Sequence, residues 1–209
     1  MTQLIQLFSF DIVGSASYKT LRQGHGSRPD WIDAFRCFFE ELPLIFTAEI
    51  ARVYFEEPGE IPDVPVWKAI GDELVFMARP ASAHDLQLLT TACVTSMAKA
   101  NAYFQRQWQL QVHGATWSLE EGVRNQAVRV RELEHHADAV LDLIGPDVDL
   151  GFRLVSHAPA GGVLVPREHA AQLEGHQQLS VQALGQAYLK GISLEAYPLL
   201  LVQCRDGNG

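Results

Sequence analysis

Cysteine is scarce in this chain: three in 209 residues, Cys37, Cys93 and Cys204, with no CxxC spacing. That excludes a disulfide framework and a thiolate zinc site, and a sparse, odd set reads as reduced and structural, as in the cytosol. Long apolar runs are missing too; none reaches the roughly 18 residues that a membrane-spanning helix needs. Met1 to Val13 lacks a basic leader segment and carries Gln3 and Gln6 inside its apolar run. It therefore reads as a strand rather than a signal peptide, and a cytoplasmic location is expected. Basic charge is also short. Lys and Arg total 16 against 25 Asp and Glu, for a net charge of -9, which argues against binding nucleic acid polymers or anionic membranes. A few local cations can still hold a small anionic ligand. No GxSxG, phosphate-loop or dinucleotide-binding fingerprint occurs, and there is no internal repeat or low-complexity tract.

What is present suits one compact domain over residues 1–209, with 47% hydrophobic residues to fill a single core. Leu4 to Ile12 is apolar on both faces, the mark of a central strand. Ser15 is placed to cap a following helix, and Asp30 a second one carrying Trp31, Phe35, Phe38 and Phe39 at helical spacing. Pro43 is expected to break or kink that helix. Ser82 with Asp85 three residues on resembles a capping box for a long helix from Ala83 to about Arg106, with Leu86, Leu89, Cys93 and Met97 as its stripe. Trp108 to Trp117 alternates like a strand with one polar face, and charged Ser118 to Ala139 reads as a helical arm. Then follow a strand at 139–144, a helix at 147–157, a strand at 161–165, a short helix at 166–173 and two strands around Lys190-Gly191. This order predicts an α+β sandwich, a mixed sheet with helices packed on it.

Two acidic groups interrupt strands that otherwise look buried. One is Asp11 in Phe8-Ser9-Phe10-Asp11-Ile12-Val13-Gly14-Ser15; the other is Asp72 in the hairpin Lys68-Ala69-Ile70-Gly71-Asp72-Glu73-Leu74. A buried, unpaired carboxylate costs on the order of several kcal/mol, so two of them together call for a shared cation. Taken alone, Asp11 also fits a helix cap and Asp72 an ordinary turn. His135-His136 point in different directions on a helix and make a poor metal pair, and His113-Gly114 reads as strand packing. Phe35, Phe38 and Phe39 read as core or a dimer face.

Phe10 to Ser15, Lys68 to Asp72, Gly145 to Leu154 and Lys190-Gly191 resemble, in order, the blocks of class III nucleotidyl cyclase catalytic domains. The resemblance spans nearly the whole chain. It implies a ferredoxin-like mixed sheet with additions and a head-to-tail homodimer with its sites at the subunit interface. It also implies a nucleoside triphosphate substrate and two divalent cations, Mn2+ or Mg2+. By the same resemblance Asp11 and Asp72 are the metal ligands, assisted by the Ile12 carbonyl. Arg153 stabilises charge on the α-phosphate, and Lys190 binds the triphosphate. Asp149 departs from the pattern, because the family usually has Asn four residues before that arginine, orienting the ribose. An aspartate accepts but cannot donate and adds negative charge near phosphates.

Lys68 and Asp142 resemble the base-reading pair of adenylyl cyclases. A lysine donor beside an aspartate acceptor suits adenine, cytosine and uracil alike. A narrower likeness, in Val66-Trp67-Lys68-Ala69-Ile70-Gly71-Asp72-Glu73-Leu74-Val75-Phe76 and a longer second helical segment, is to the pyrimidine cyclases of bacterial antiphage Pycsar systems. It implies cyclic UMP or cyclic CMP as product and a separate cyclic-nucleotide-sensing effector as its receiver. Tyr54, just before the hairpin, is a candidate for shortening the base pocket, or an ordinary core residue. Trp67, on the opposite strand face from Lys68, reads as core. Adenylate cyclase activity and a cyclase-like domain without turnover remain as alternatives.

Overall fold

A computed structural model describes residues 3–23, 29–55, 57, 60–130, 140–192 and 195–205. Strand β1 (Gln3–Ile12) organises the fold. Its odd residues Ile5 and Leu7 enter one apolar cluster and its even residues Phe8, Phe10 and Ile12 the other. A strand buried on both faces must lie inside the sheet. It does, between β3 (Glu73–Ala78) and β4 (Val112–Glu121), antiparallel to both. With β2 (Val66–Ile70), β7 (Val163–Val165), β8 (Leu179–Ala187) and β9 (Tyr197–Cys204), the seven-stranded sheet runs β2-β3-β1-β4-β7-β9-β8. The β4–β7 pair is parallel and registers only Gly114 with Val163 and Ala115 with Leu164. A separate two-stranded ribbon joins β5 (Gln126–Val130) and β6 (Val140–Ile144). The α+β sandwich expected from the sequence is thus observed.

Short α1 (Ser15–Leu21) follows β1, and the long helices α2 (Asp30–Val53) and α3 (Ala83–Trp108) cover the Phe8/Phe10 face. Helix α4 (Pro146–Val155) packs on the Ile5/Leu7 face, and α5 (Arg167–Gln172) follows β7. Pro43 does not break α2, which runs uninterrupted through it. The missing backbone bond is offset by a buried stripe of Phe35, Phe38, Leu42, Phe46 and Ile50 on both sides of it. Neither Ser15 nor Asp30 caps its helix. Gly14, at φ 62°, occupies the first N-terminal position and Pro29 the second, and no side chain bonds there. Ser82 does cap α3: its oxygen accepts from the Asp85 N–H at 3.0 Å, and the Asp85 carboxylate accepts from the Ala81 N–H.

Two further expectations give way. Trp108 closes α3 and Gln109 turns the chain at φ 53°, so β4 begins only at Val112. Residues 112–117 are buried on both faces, because helices cover each side of β4. The proposed helical arm from Ser118 instead continues as β4 and β5 as far as Val130, and 131–139 lie outside the described residues.

On the α3 side, Gln6, Thr90, Thr116 and His169 form a buried polar patch. Thr90 donates its hydroxyl proton to the Leu86 carbonyl, so it must accept from His169 Nε2 at 3.0 Å, leaving Nδ1 as the acceptor for Ser118. Burial pushes the His169 pKa down to about 3. The unfolded chain binds this proton near pH 6.5 and the folded protein does not, so stability rises with pH between these values. On acidification from pH 6 to 4 the wild type should lose roughly 1.4 kcal/mol per pH unit through this residue. Denaturant melts across that range should show a shallower pH slope for His169→Gln; identical slopes would remove His169 from the account.

Candidate active site

Polar side chains gather at the C-terminal end of β1. Register places Asp11 directly opposite Glu73 on β3 and His113 on β4. Residues directly opposite in a sheet share a face, so Glu73, Asp11 and His113 form a polar row across three strands. They lie on the face that also holds Ile5, Leu7, Ala115 and Trp117. Asp72 stands one residue before Glu73 in the two-residue turn from β2, where Gly71 takes a left-handed φ of 66°. The two aspartates therefore come to the same end of neighbouring strands.

The row is electrostatically tight. One Asp11 oxygen accepts from the Ile12 N–H at 2.9 Å, and the other lies 3.4 Å from His113 Nε2. His113 Nδ1 donates to the Ala158 carbonyl at 2.7 Å. Burial alone would lower the His113 pKa, but Asp11, the Ala158 carbonyl and Glu73 together raise it above the ordinary value. Glu73 accepts from the Ser9 hydroxyl. Burial, with the charges of Asp11 and Asp72, pushes its pKa up to about 7 against the opposing effects of Ser9 and His113. Sequence reasoning missed Ser9 and Glu73 and read His113 as packing. Only strand register brings them to Asp11, and a single sequence does not display register.

Carboxylates and a main-chain carbonyl are hard oxygen donors, the set that Mg2+ and Mn2+ prefer. Among the described residues no group of three or more His, Cys, Asp or Glu is arranged to hold a metal. Asp11, Asp72 and the Ile12 carbonyl are donors of that chemical kind, and the register brings them only to neighbouring strand ends.

Lys68 and Asp142 meet. The Lys68 ammonium lies 2.7 Å from Asp142 on the ribbon strand β6, and the same carboxylate oxygen accepts from the Leu143 N–H at 2.8 Å. Burial opposes ionisation of Asp142, but Lys68 and the Leu143 N–H hold its pKa below the ordinary carboxylate value. Lys68 registers with Val75, two residues along β3 from Glu73, so it belongs to the same sheet face as the polar row. Trp67 is not on the opposite face as expected. A bulge between Val66 and Lys68 re-aims the strand, and the Lys68 ammonium sits 3.8 Å from the centroid of the Trp67 ring.

Asp149 and Arg153 are both exposed, one helical turn apart on α4. Lys190 is exposed in the turn after β8. None of the three makes a hydrogen bond through its side chain to a described residue, so within one protomer they are not joined to Asp11, Asp72 or the Lys68–Asp142 pair. Of the two readings open for Tyr54, the core one matches its position. It is buried at the end of α2 in the Phe8/Phe10 cluster, with its hydroxyl 3.2 Å from Asp85. Burial, then Asp85, raises its pKa. That cluster lies across the sheet from Lys68, so Tyr54 is core and does not shorten a base pocket there.

The architecture has solved counterparts. The catalytic core of a rhodopsin-guanylyl cyclase with converted specificity, in complex with ATPalphaS, superposes with a TM-score of 0.68 at 16% identity, covering 98% of this chain and 97% of that one. The guanylate cyclase domain of RhGC from Catenaria anguillulae, in complex with GTP, gives 0.64 at 15% identity over 98% of each chain. The adenylyl cyclase CyaB from P. aeruginosa gives 0.58 at 16% identity, over 99% of this chain and 95% of that one. The fold is that of class III nucleotidyl cyclase catalytic domains. No family profile and no curated protein matches the sequence. Among the described residues no helix is long and apolar enough to cross a membrane.

Proposed function

We propose that this chain is a metal-dependent nucleotidyl cyclase that converts a pyrimidine nucleoside triphosphate, UTP or CTP, to its 3′,5′-cyclic monophosphate and pyrophosphate. The observation that carries the reading is the shared sheet face. Asp11 and Asp72 stand at adjacent strand ends, and the Lys68–Asp142 donor–acceptor pair lies on the same side. Two divalent ions bound there would neutralise the triphosphate and acidify the ribose 3′-hydroxyl. Lys68 donates to a ring nitrogen or carbonyl of the base, and Asp142 accepts from its amino or imino N–H. Arg153 supplies positive charge to the α-phosphate, Lys190 grips the distal phosphates, and Asp149 accepts from a ribose hydroxyl.

Arg153, Asp149 and Lys190 are exposed and make no side-chain hydrogen bond to another described residue, which favours a homodimer whose second copy completes each site. Product release to a separate cyclic-nucleotide-sensing effector, in antiphage defence, is the role that follows from the Pycsar likeness. A Lys–Asp pair also suits adenine, so an adenylate cyclase is the second reading.

Purified protein supplied with manganese and, in separate reactions, ATP, GTP, CTP and UTP should yield cyclic UMP or cyclic CMP by mass spectrometry. Cyclic AMP as the main product would move the assignment to adenylate cyclase. No cyclic product from any of the four would leave a nucleotide- or partner-binding domain without turnover.

A further inference from the structure

The bulge in β2 has a consequence for how a base would be read. Val66 pairs with Phe76 and Lys68 with Val75, so Trp67 is the extra residue on its strand. Its ring meets the Lys68 ammonium at 3.8 Å from one side, and Phe152 of α4 stands 5.6 Å from the same ammonium. The Trp67 and Phe152 rings are 6.4 Å apart, and Phe152 in turn rests edge-on against buried Trp117 at 5.5 Å. A lysine on a flexible four-carbon stem, paired with a carboxylate that is itself 36% exposed, is held weakly by that ion pair alone. An indole face attracts the ammonium through its quadrupole and removes water from one side of it.

We propose that Trp67 is a positioning residue: its indole, backed by Phe152, holds the Lys68 ammonium against Asp142 so that the pair meets a nucleobase edge as one fixed donor–acceptor unit. This rests on the base-reading role given to Lys68 and Asp142 above. Trp67 acts through Lys68 and has no part in the phosphate chemistry. Its removal should therefore weaken nucleotide capture and blur base choice while leaving turnover of bound substrate intact.

The first measurement needs no nucleotide. Reductive methylation with 13C-formaldehyde keeps lysine charged and labels Lys19, Lys68, Lys99 and Lys190, with Lys68 assigned by its loss in Lys68→Arg. The Lys68 methyl signal should be displaced by the ring current of Trp67 and should move to the position of an exposed lysine in Trp67→Leu. Lys19, which lies over Phe35 and Trp31, should stay in place and report an intact fold. Unmodified Trp67→Leu should then raise KM for the preferred triphosphate about 2- to 30-fold, the reach of one cation–π contact, and narrow the preference among the four bases. Its kcat should change little, and Trp67→Phe should restore part of the loss.

An undisplaced Lys68 signal in the wild type overturns the proposal. So does a Trp67→Leu enzyme with unaltered KM and base preference, and in that case the cyclase reading stands. If the wild type binds none of the four triphosphates by calorimetry, the reading beneath falls and takes the proposal with it, whatever the lysine spectrum shows.

Discussion

Asp11→Asn and Asp72→Ala should each lower cyclic nucleotide formation by roughly 10²- to 10³-fold. The loss corresponds to several kcal/mol of charge stabilisation by metal, at about 1.4 kcal/mol per decade of rate. Asn keeps the size of Asp11 and a bond to the Ile12 N–H, so the strand end should keep its shape. Both replacements remove a negative charge that raises the pKa of Glu73, and the melting temperature should not fall on that account. Electron paramagnetic resonance of added Mn2+ should show bound ion in the wild type and mostly free ion in either variant. A variant that forms product at the wild-type rate would remove these two residues from the chemistry.

Gly151→Ala should do nearly as much damage from a residue that touches no substrate. A Cβ there would lie 2.0 to 2.5 Å from ring atoms of Trp117, itself fully buried with both sides packed. A rigid indole in a filled core cannot give way, so α4 must lift. Overpacking of this kind costs about 1–3 kcal/mol, which for a domain of this size lowers the melting temperature by roughly 2 to 12 °C. Helix α4 carries Asp149, Phe152 and Arg153 together, so the displacement should cost activity well beyond the stability loss. Far-ultraviolet circular dichroism at 20 °C would confirm a folded variant, and a wild-type rate from it would show that the seating of α4 is unimportant.

The long periodic elements were legible in the chain, and the reasons are local. β1 shows as an apolar run between a polar start and Gly14, and α3 announces itself through Ser82 and Asp85. The Gly71-Asp72 hairpin needs nothing beyond its own residues. What stayed hidden depends on neighbours that are distant in sequence. Pro43 reads as a break or kink because local propensity cannot see a stripe of phenylalanines seated on a sheet. Ser9, Glu73 and His113 gain their meaning only from pairing across three strands. Strict alternation puts Trp67 on the wrong face because it admits no extra residue, and the sequence leaves Tyr54 open between pocket and core because the partner that settles it, Asp85, is 31 residues away. The Lys68–Asp142 pair, 74 residues apart, was seen only because a family resemblance named both members.

The three-residue strand β7 leaves the sheet with a narrow waist. On one side lie β2, β3, β1 and β4 with the carboxylates and Lys68; on the other lie β9 and β8 with the Lys190 turn. Across this line the backbone offers two residue pairs of β4 and β7, with the Gly161 N–H donating to the Val112 carbonyl and the Gly114 N–H to the Gly162 carbonyl just ahead of β7. Buried side chains supply the rest: Leu179 and Val202 share one core cluster with Phe8 and Met97, and Leu189 and Leu201 share the other with Leu7 and Trp117, so packing rather than the hydrogen-bond ladder ties the Lys190 end to the carboxylates.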